Sequence, residues 1–157
     1  MEILFKKKVL KYGFSFIEIT IVLAIITILS TIVVFSFSSA GSKQSLEKTT
    51  ISVISILNEA KSMAVSSKDF SDYGVRISED ELVSFKSSYG NENKIYSIPN
   101  LVTISDISIS GVTNNDVIFK KVSGSTNATG TLTISIANDL SDYNIIKISQ
   151  TGLIEKI

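Results

Sequence analysis

Glu18 is the only ionisable side chain between Phe14 and Phe37, in the run FSFIEITIVLAIITILSTIVVFSF. A carboxylate inside a bilayer costs roughly 2.5–3.5 kcal/mol on insertion scales and persists only with a partner or a task. Few other residue types here are suited to chemistry. The 157-residue chain has no histidine and no cysteine, so it lacks the usual general base near neutral pH, the usual soft metal ligands and any disulfide. Carboxylates, lysines and hydroxyls remain. The serines have no imidazole to activate them, and no Ser-Lys motif stands out. The residues argue against an enzyme, and no cofactor or metal is expected.

The elements that would position Glu18 follow from composition along the chain. Residues 1–13, MEILFKKKVLKYG, carry Lys6, Lys7, Lys8 and Lys11 against Glu2. The next 24 residues, 14–37, are long enough as a helix at about 1.5 Å per residue to cross a hydrocarbon core of roughly 30 Å. A secretory signal peptide has a shorter apolar core, about 7–15 residues, followed by a small-residue cleavage site. Lysines before the span place the N-terminus in the cytoplasm and the rest outside. Past the small-residue stretch Ser38–Ser42, Leu46, Thr50, Val53, Leu57, Ala60 and Ala64 repeat every three or four residues, which predicts an amphipathic continuation of the helix to about Ser66. From Tyr73 onward short β-rich runs take over, at 73–78, 82–86, 94–98, 101–109, 116–122, 131–137 and 143–149. Leu132, Ile134 and Ile136 alternate with Thr131, Thr133 and Ser135, as in a strand with one buried and one wet face. Turns are expected at Gly111, Asn114–Asp116, Gly124–Asn127, Asn138–Asp139 and Thr151–Gly152. The predicted fold class is α+β: a long N-terminal transmembrane helix continuing into an amphipathic helix packed on an antiparallel sheet.

A basic leader ending in Gly13, the aromatic Phe14 and a glutamate at the fifth position of the apolar run together resemble the prepilin signal of type IV pilins and type II secretion pseudopilins. The resemblance implies that prepilin peptidase cuts between Gly13 and Phe14, that Phe14 becomes the N-methylated first residue, and that Glu18 serves assembly. Each part has a physical reason. Gly13 leaves the backbone free to enter a protease site, and the lysines keep the leader in the cytoplasm. Cleavage frees an α-amino group about one helical turn from Glu18, which gives the carboxylate a cation to pair with in its own or a neighbouring subunit. The organisation expected is a cleaved leader over 1–13, a transmembrane and polymerisation helix over 14–37, its amphipathic continuation over 38–67 and a β-rich extracytoplasmic domain over 68–157. The implied partners are the membrane, prepilin peptidase, other pilin or pseudopilin subunits and an assembly platform protein. The implied location is the inner membrane in a single pass, with the outer domain extracytoplasmic or in a filament. Many members interrupt this helix with a proline where this chain has Phe35; its one proline is Pro99, and a straighter helix is expected.

Within the family, the absence of Cys departs from major pilins with a C-terminal disulfide loop, the absence of Trp departs from the major pseudopilin, and Glu18 departs from the secretion tip subunit. Leu57–Ala64, Val117–Phe119 and the ending Ile146–Ile154 resemble segments of the H-type minor pseudopilin and the related FimT-like minor pilins. A DNA-binding minor pilin for uptake is the alternative, resting on Lys120–Lys121. The leader takes four of the 15 basic and one of the 15 acidic residues, leaving 11 against 14 and a net charge of −3. Phosphate binding needs local cation density, so DNA is the less favoured partner. Asp69, Asp72, Glu79, Asp80 and Glu81 fit no calcium-loop spacing and read as a solvated neighbourhood. Asn127-Ala128-Thr129 matches a glycosylation sequon but reads as a polar turn.

Overall fold

A computed structural model describes residues 13–66, 70–90 and 94–157, and the side chains of all these except 32–39. The expected leader, with Lys6, Lys7, Lys8 and Lys11, therefore lies outside the described residues apart from Gly13. The chain divides into two compact units, Met1–Ser38 and Ser39–Ile157, and helix α1 (Phe16–Val65) contributes to both. It starts where Ser15 offers its carbonyl to the Ile19 N–H at 3.2 Å, with Glu18 in the first turn complementing the positive end of the helix dipole. The helical backbone continues through Gly41 without a break.

In the unit Ser39–Ile157, termed the outer unit for its place beyond the apolar run in the sequence, the three-and-four spacing has the predicted consequence. Leu46, Thr50, Val53, Leu57, Ala60 and Ala64 are all buried. Thr50, the polar member of this stripe, donates to the Leu46 carbonyl at 2.8 Å and accepts from Asn144 Nδ2 at 3.0 Å. A buried hydroxyl so paired avoids the desolvation penalty of an orphaned one. At the end of the helix the Val122 N–H supplies a partner for one of its last carbonyls, reaching Ala64 O at 3.0 Å, and Lys61 Nζ donates outward to Gly152 O of the C-terminal hairpin at 2.8 Å.

The strands are β1 (Tyr73–Ile77), β2 (Glu81–Lys86), β3 (Lys94–Ser97), β4 (Val102–Ser110), β5 (Asp116–Phe119), β6 (Thr129–Ile136), β7 (Asp139–Ile148) and β8 (Ile154–Lys156). They form two four-stranded sheets, β3-β2-β1-β5 and β4-β6-β7-β8, with antiparallel neighbours throughout. The single sheet expected from sequence is thus two. The division comes at Pro99, after which the chain leaves β3 and pairs as β4 with β6. Proline donates no backbone hydrogen bond and so suits a strand exit. The core between helix and sheets includes Leu57, Phe119, Leu132, Ile134, Ile146 and Ile148. Ser135 departs from the expected wet face: it is fully buried, and its hydroxyl has no partner among the described residues. It sits beside a register shift, where Ser135 opposes Tyr143 but Ile136 opposes Asp139.

The C-terminal hairpin pairs Ile148 with Ile154 around Gly152. Gly152 has φ +75°, and a Cβ there would collide with the Gly124 carbonyl oxygen. Both facts require glycine.

Candidate functional site

Phe14, two residues before α1, lies on the same side as Glu18 in the first helical turn. With Ile19, Val22 and Leu23 they line a shallow hollow of about 240 Å³. Gly13 precedes the helix, is exposed, and has open space where a side chain would stand. From Phe16 to Leu29 every large apolar side chain is exposed, Ile17 at 63% and Leu29 at 56%. A helix apolar on all faces belongs in an apolar surrounding. Its hydroxyls make no outward demand: Thr20, Thr27, Ser30 and Thr31 each donate to the carbonyl four residues back, at 2.7–3.0 Å. Among the described residues no helix is long and apolar enough to cross a membrane. Of the expected span 14–37, positions 32–37 lie outside the residues whose side chains are described.

No protein-family model matches the chain, and no curated protein does. Solved structures do. The chain is similar to the minor pseudopilin EpsH from the Type 2 Secretion System of Vibrio cholerae, with a TM-score of 0.55 and 14% identity over 71% of this chain and 95% of that one. A second crystal structure, also of minor pseudopilin EPSH from the Vibrio cholerae type II secretion system, gives a TM-score of 0.54 and 12% identity over 73% and 94%. The fold is that of a minor pseudopilin. The likeness spans about seven-tenths of this chain, and sequence identity this low extends it to the fold alone.

The other candidates read from sequence are scattered across this fold. Asp69 lies outside the described residues, and Asp72 stands apart from the remaining acids. Burial pushes the Asp72 carboxyl up, but the Lys121 N–H at 2.8 Å and Lys120 Nζ at 3.3 Å outweigh it and hold the carboxyl below its ordinary value. Glu79, Asp80 and Glu81 line a groove of about 980 Å³ where the β1–β2 turn meets the start of β4. Among the described residues no group of three or more acidic side chains is placed to hold a metal ion. Lys120 and Lys121, the candidate DNA contacts, are spent on Asp72 and on the Phe70 carbonyl, which Lys121 Nζ reaches at 3.4 Å. Asn127 of the sequon donates its side-chain N–H to the Gly111 carbonyl at 2.5 Å, a structural tie between the loop after β4 and the approach to β6. Sequence reasoning missed the contacts that join α1 to the last strands. Glu47 takes Lys156 Nζ at 2.5 Å and Asn144 Nδ2 at 3.2 Å, and the Lys156 bond holds its carboxyl below the usual range. These residues are about a hundred positions apart, so no local spacing could have shown them.

Proposed function

We propose that the chain is a minor pilin or pseudopilin subunit of a type IV pilus or type II secretion system, anchored in the inner membrane by residues 14–37 and assembled through that helix. The observation that carries this reading is the hollow shared by Phe14 and Glu18 at the head of an apolar helix whose large side chains stand exposed among the described residues. Three further points support it. Isoleucine, valine and threonine are indifferent helix formers in water, whereas in hydrocarbon the backbone must satisfy itself and the helix is favoured. The back-bonded hydroxyls remove the remaining polar demand of the described stretch. The outer unit has the fold of a minor pseudopilin.

In this reading the leader lysines stay in the cytoplasm, prepilin peptidase cuts after Gly13, and the freed Phe14 amine faces Glu18 of its own subunit or of a neighbour. An amine and a carboxylate paired in this way lower the penalty that each carries alone in an apolar setting. Other pilin or pseudopilin subunits and an assembly platform are the partners. A DNA-uptake role has less support, because Lys120 and Lys121 are already compensated. Intact-mass spectrometry of the membrane form tests the reading. It should show the loss of residues 1–13 and the gain of one methyl group, and a stable full-length product would remove its main support.

A further inference from the structure

The sheet β3-β2-β1-β5 ends at β3, and the outward backbone of that strand is unclaimed among the described residues. The Ile98 N–H bonds the Asp80 carbonyl at 2.8 Å. Hydrogen-bonded pairs alternate in an antiparallel ladder, so Tyr96 and Lys94 face β2 through their partners Leu82 and Ser84. Ile95 and Ser97 therefore turn their N–H and C=O groups away from β2, and these have no partner among the described residues.

Beside this edge, between β3 and α1, runs a groove of about 440 Å³. Val53, Ile56, Leu82 and Ile98, all buried, give it an apolar floor. Lys48 stands on its rim with no ion pair or hydrogen bond among the described residues. The helix wall extends from Ser45 to Ile56, about 16 Å at 1.5 Å per residue, which matches about five residues of extended chain. Past Ile56, the Tyr96 hydroxyl on Glu59 at 3.3 Å and Lys94 on Glu59 at 3.7 Å tie β3 to the helix.

We propose that this groove receives an extended segment of a partner chain, which pairs with β3 as a fifth strand, sets apolar side chains at alternate positions over the floor and brings a carboxylate to Lys48. The free backbone groups decide for a strand. They recur at every second residue, a repeat that an extended backbone matches and that a helix, its own groups already paired, does not. Lys48 decides the charge, since an unpaired ammonium on the rim favours an acidic side chain and disfavours a basic one. The inference goes beyond the subunit reading and does not depend on it, because it concerns the outer unit alone.

The test uses the full chain, isotope-labelled in detergent micelles, titrated with the acetylated and amidated peptide TVTVDVTV. Two comparison peptides are TPTVDPTV, which cannot pair along its length, and TVTVKVTV. Amide exchange at Ile95 and Ser97 should slow at least tenfold on saturation with the first peptide and stay unchanged with the proline peptide. Lys48→Glu, at an exposed helix position, should reverse the preference between the aspartate and lysine peptides. Ser52→Phe, on the exposed helix wall, should fill the groove and abolish the slowing, with a melting curve to show that the variant is folded. Unchanged exchange at Ile95 and Ser97 with millimolar peptide, or equal slowing by the proline peptide, would overturn the proposal. A Lys48→Glu variant that keeps the original preference would overturn the charge assignment.

Discussion

One helix treats its apolar side chains in two opposite ways. Between Phe16 and Leu29 the large ones are 49–85% exposed, whereas between Leu46 and Ala64 the stripe of six is at most 6% exposed. The difference lies in pattern more than in hydrophobicity. In the outer part, apolar residues recur on one face and polar ones occupy the rest, so one side of a sheet pair suffices as cover. The inner part is apolar all round and offers no preferred face, so only an environment surrounding the helix can cover it. A single stretch of secondary structure thus carries two different requirements, and among the described residues only the outer one is met.

The largest expected effect breaks the comparison at its inner end. Gly13→Val should leave the chain inserted but wholly unprocessed, seen as the full-length mass, since the side chain meets open space in the fold and its bulk is felt only in a protease site. Normal processing of that variant would sink the assigned junction. Glu18→Ala should keep insertion equal or better and still lose its leader, while cross-links between subunits through cysteines placed at Ile25 and Val33 fall sharply. Unchanged cross-linking would mean that Glu18 does not serve assembly.

At the covered end, Leu57→Ala removes a fully buried side chain and should destabilise the outer unit by about 2–5 kcal/mol, read from chemical denaturation. Equal stability would show that the outer stripe needs its cover no more than the inner helix does. The smallest effect belongs to Asp72→Asn, which weakens a partly exposed carboxylate site and should cost about 0.5–1 kcal/mol near neutral pH. Because its pKa is lower folded than unfolded, the contribution is complete above the unfolded value, about 3.9. It disappears as pH falls through the folded value. The difference between wild type and variant should therefore vanish in strong acid, and a gap that persists there would point to packing in place of charge.

Spacing made the helix stripe legible, because three-and-four recurrence is a local property of a helix that tertiary contacts then exploit. Phe14 and Glu18, four positions apart, are close for a local reason too, although Phe14 precedes the first turn of α1. Strand alternation was legible for Leu132, Ile134 and Ile136, but it tells which face is buried and not which strand lies alongside. Hence two sheets appear where one was expected. β8 has three residues, too few to show a period, although the Ile146–Ile154 ending marked its hairpin. The pairing of Asp72 with Lys120 and Lys121, the tie of Glu47 to Lys156 and the open edge of β3 join distant positions, and no periodicity in one sequence encodes them.

The back-bonded hydroxyls at Thr20, Thr27, Ser30 and Thr31 have a mechanical consequence. With these hydroxyls turned onto the helix's own carbonyls, the described stretch is a smooth shaft, on which a neighbour packed as proposed would slide or rotate without exchanging one polar bond for another. On such a shaft Glu18 is the sole tooth of the described stretch. If subunits pack through this helix as proposed, axial position would be set at that one point and the remaining length would stay free to move until it engages.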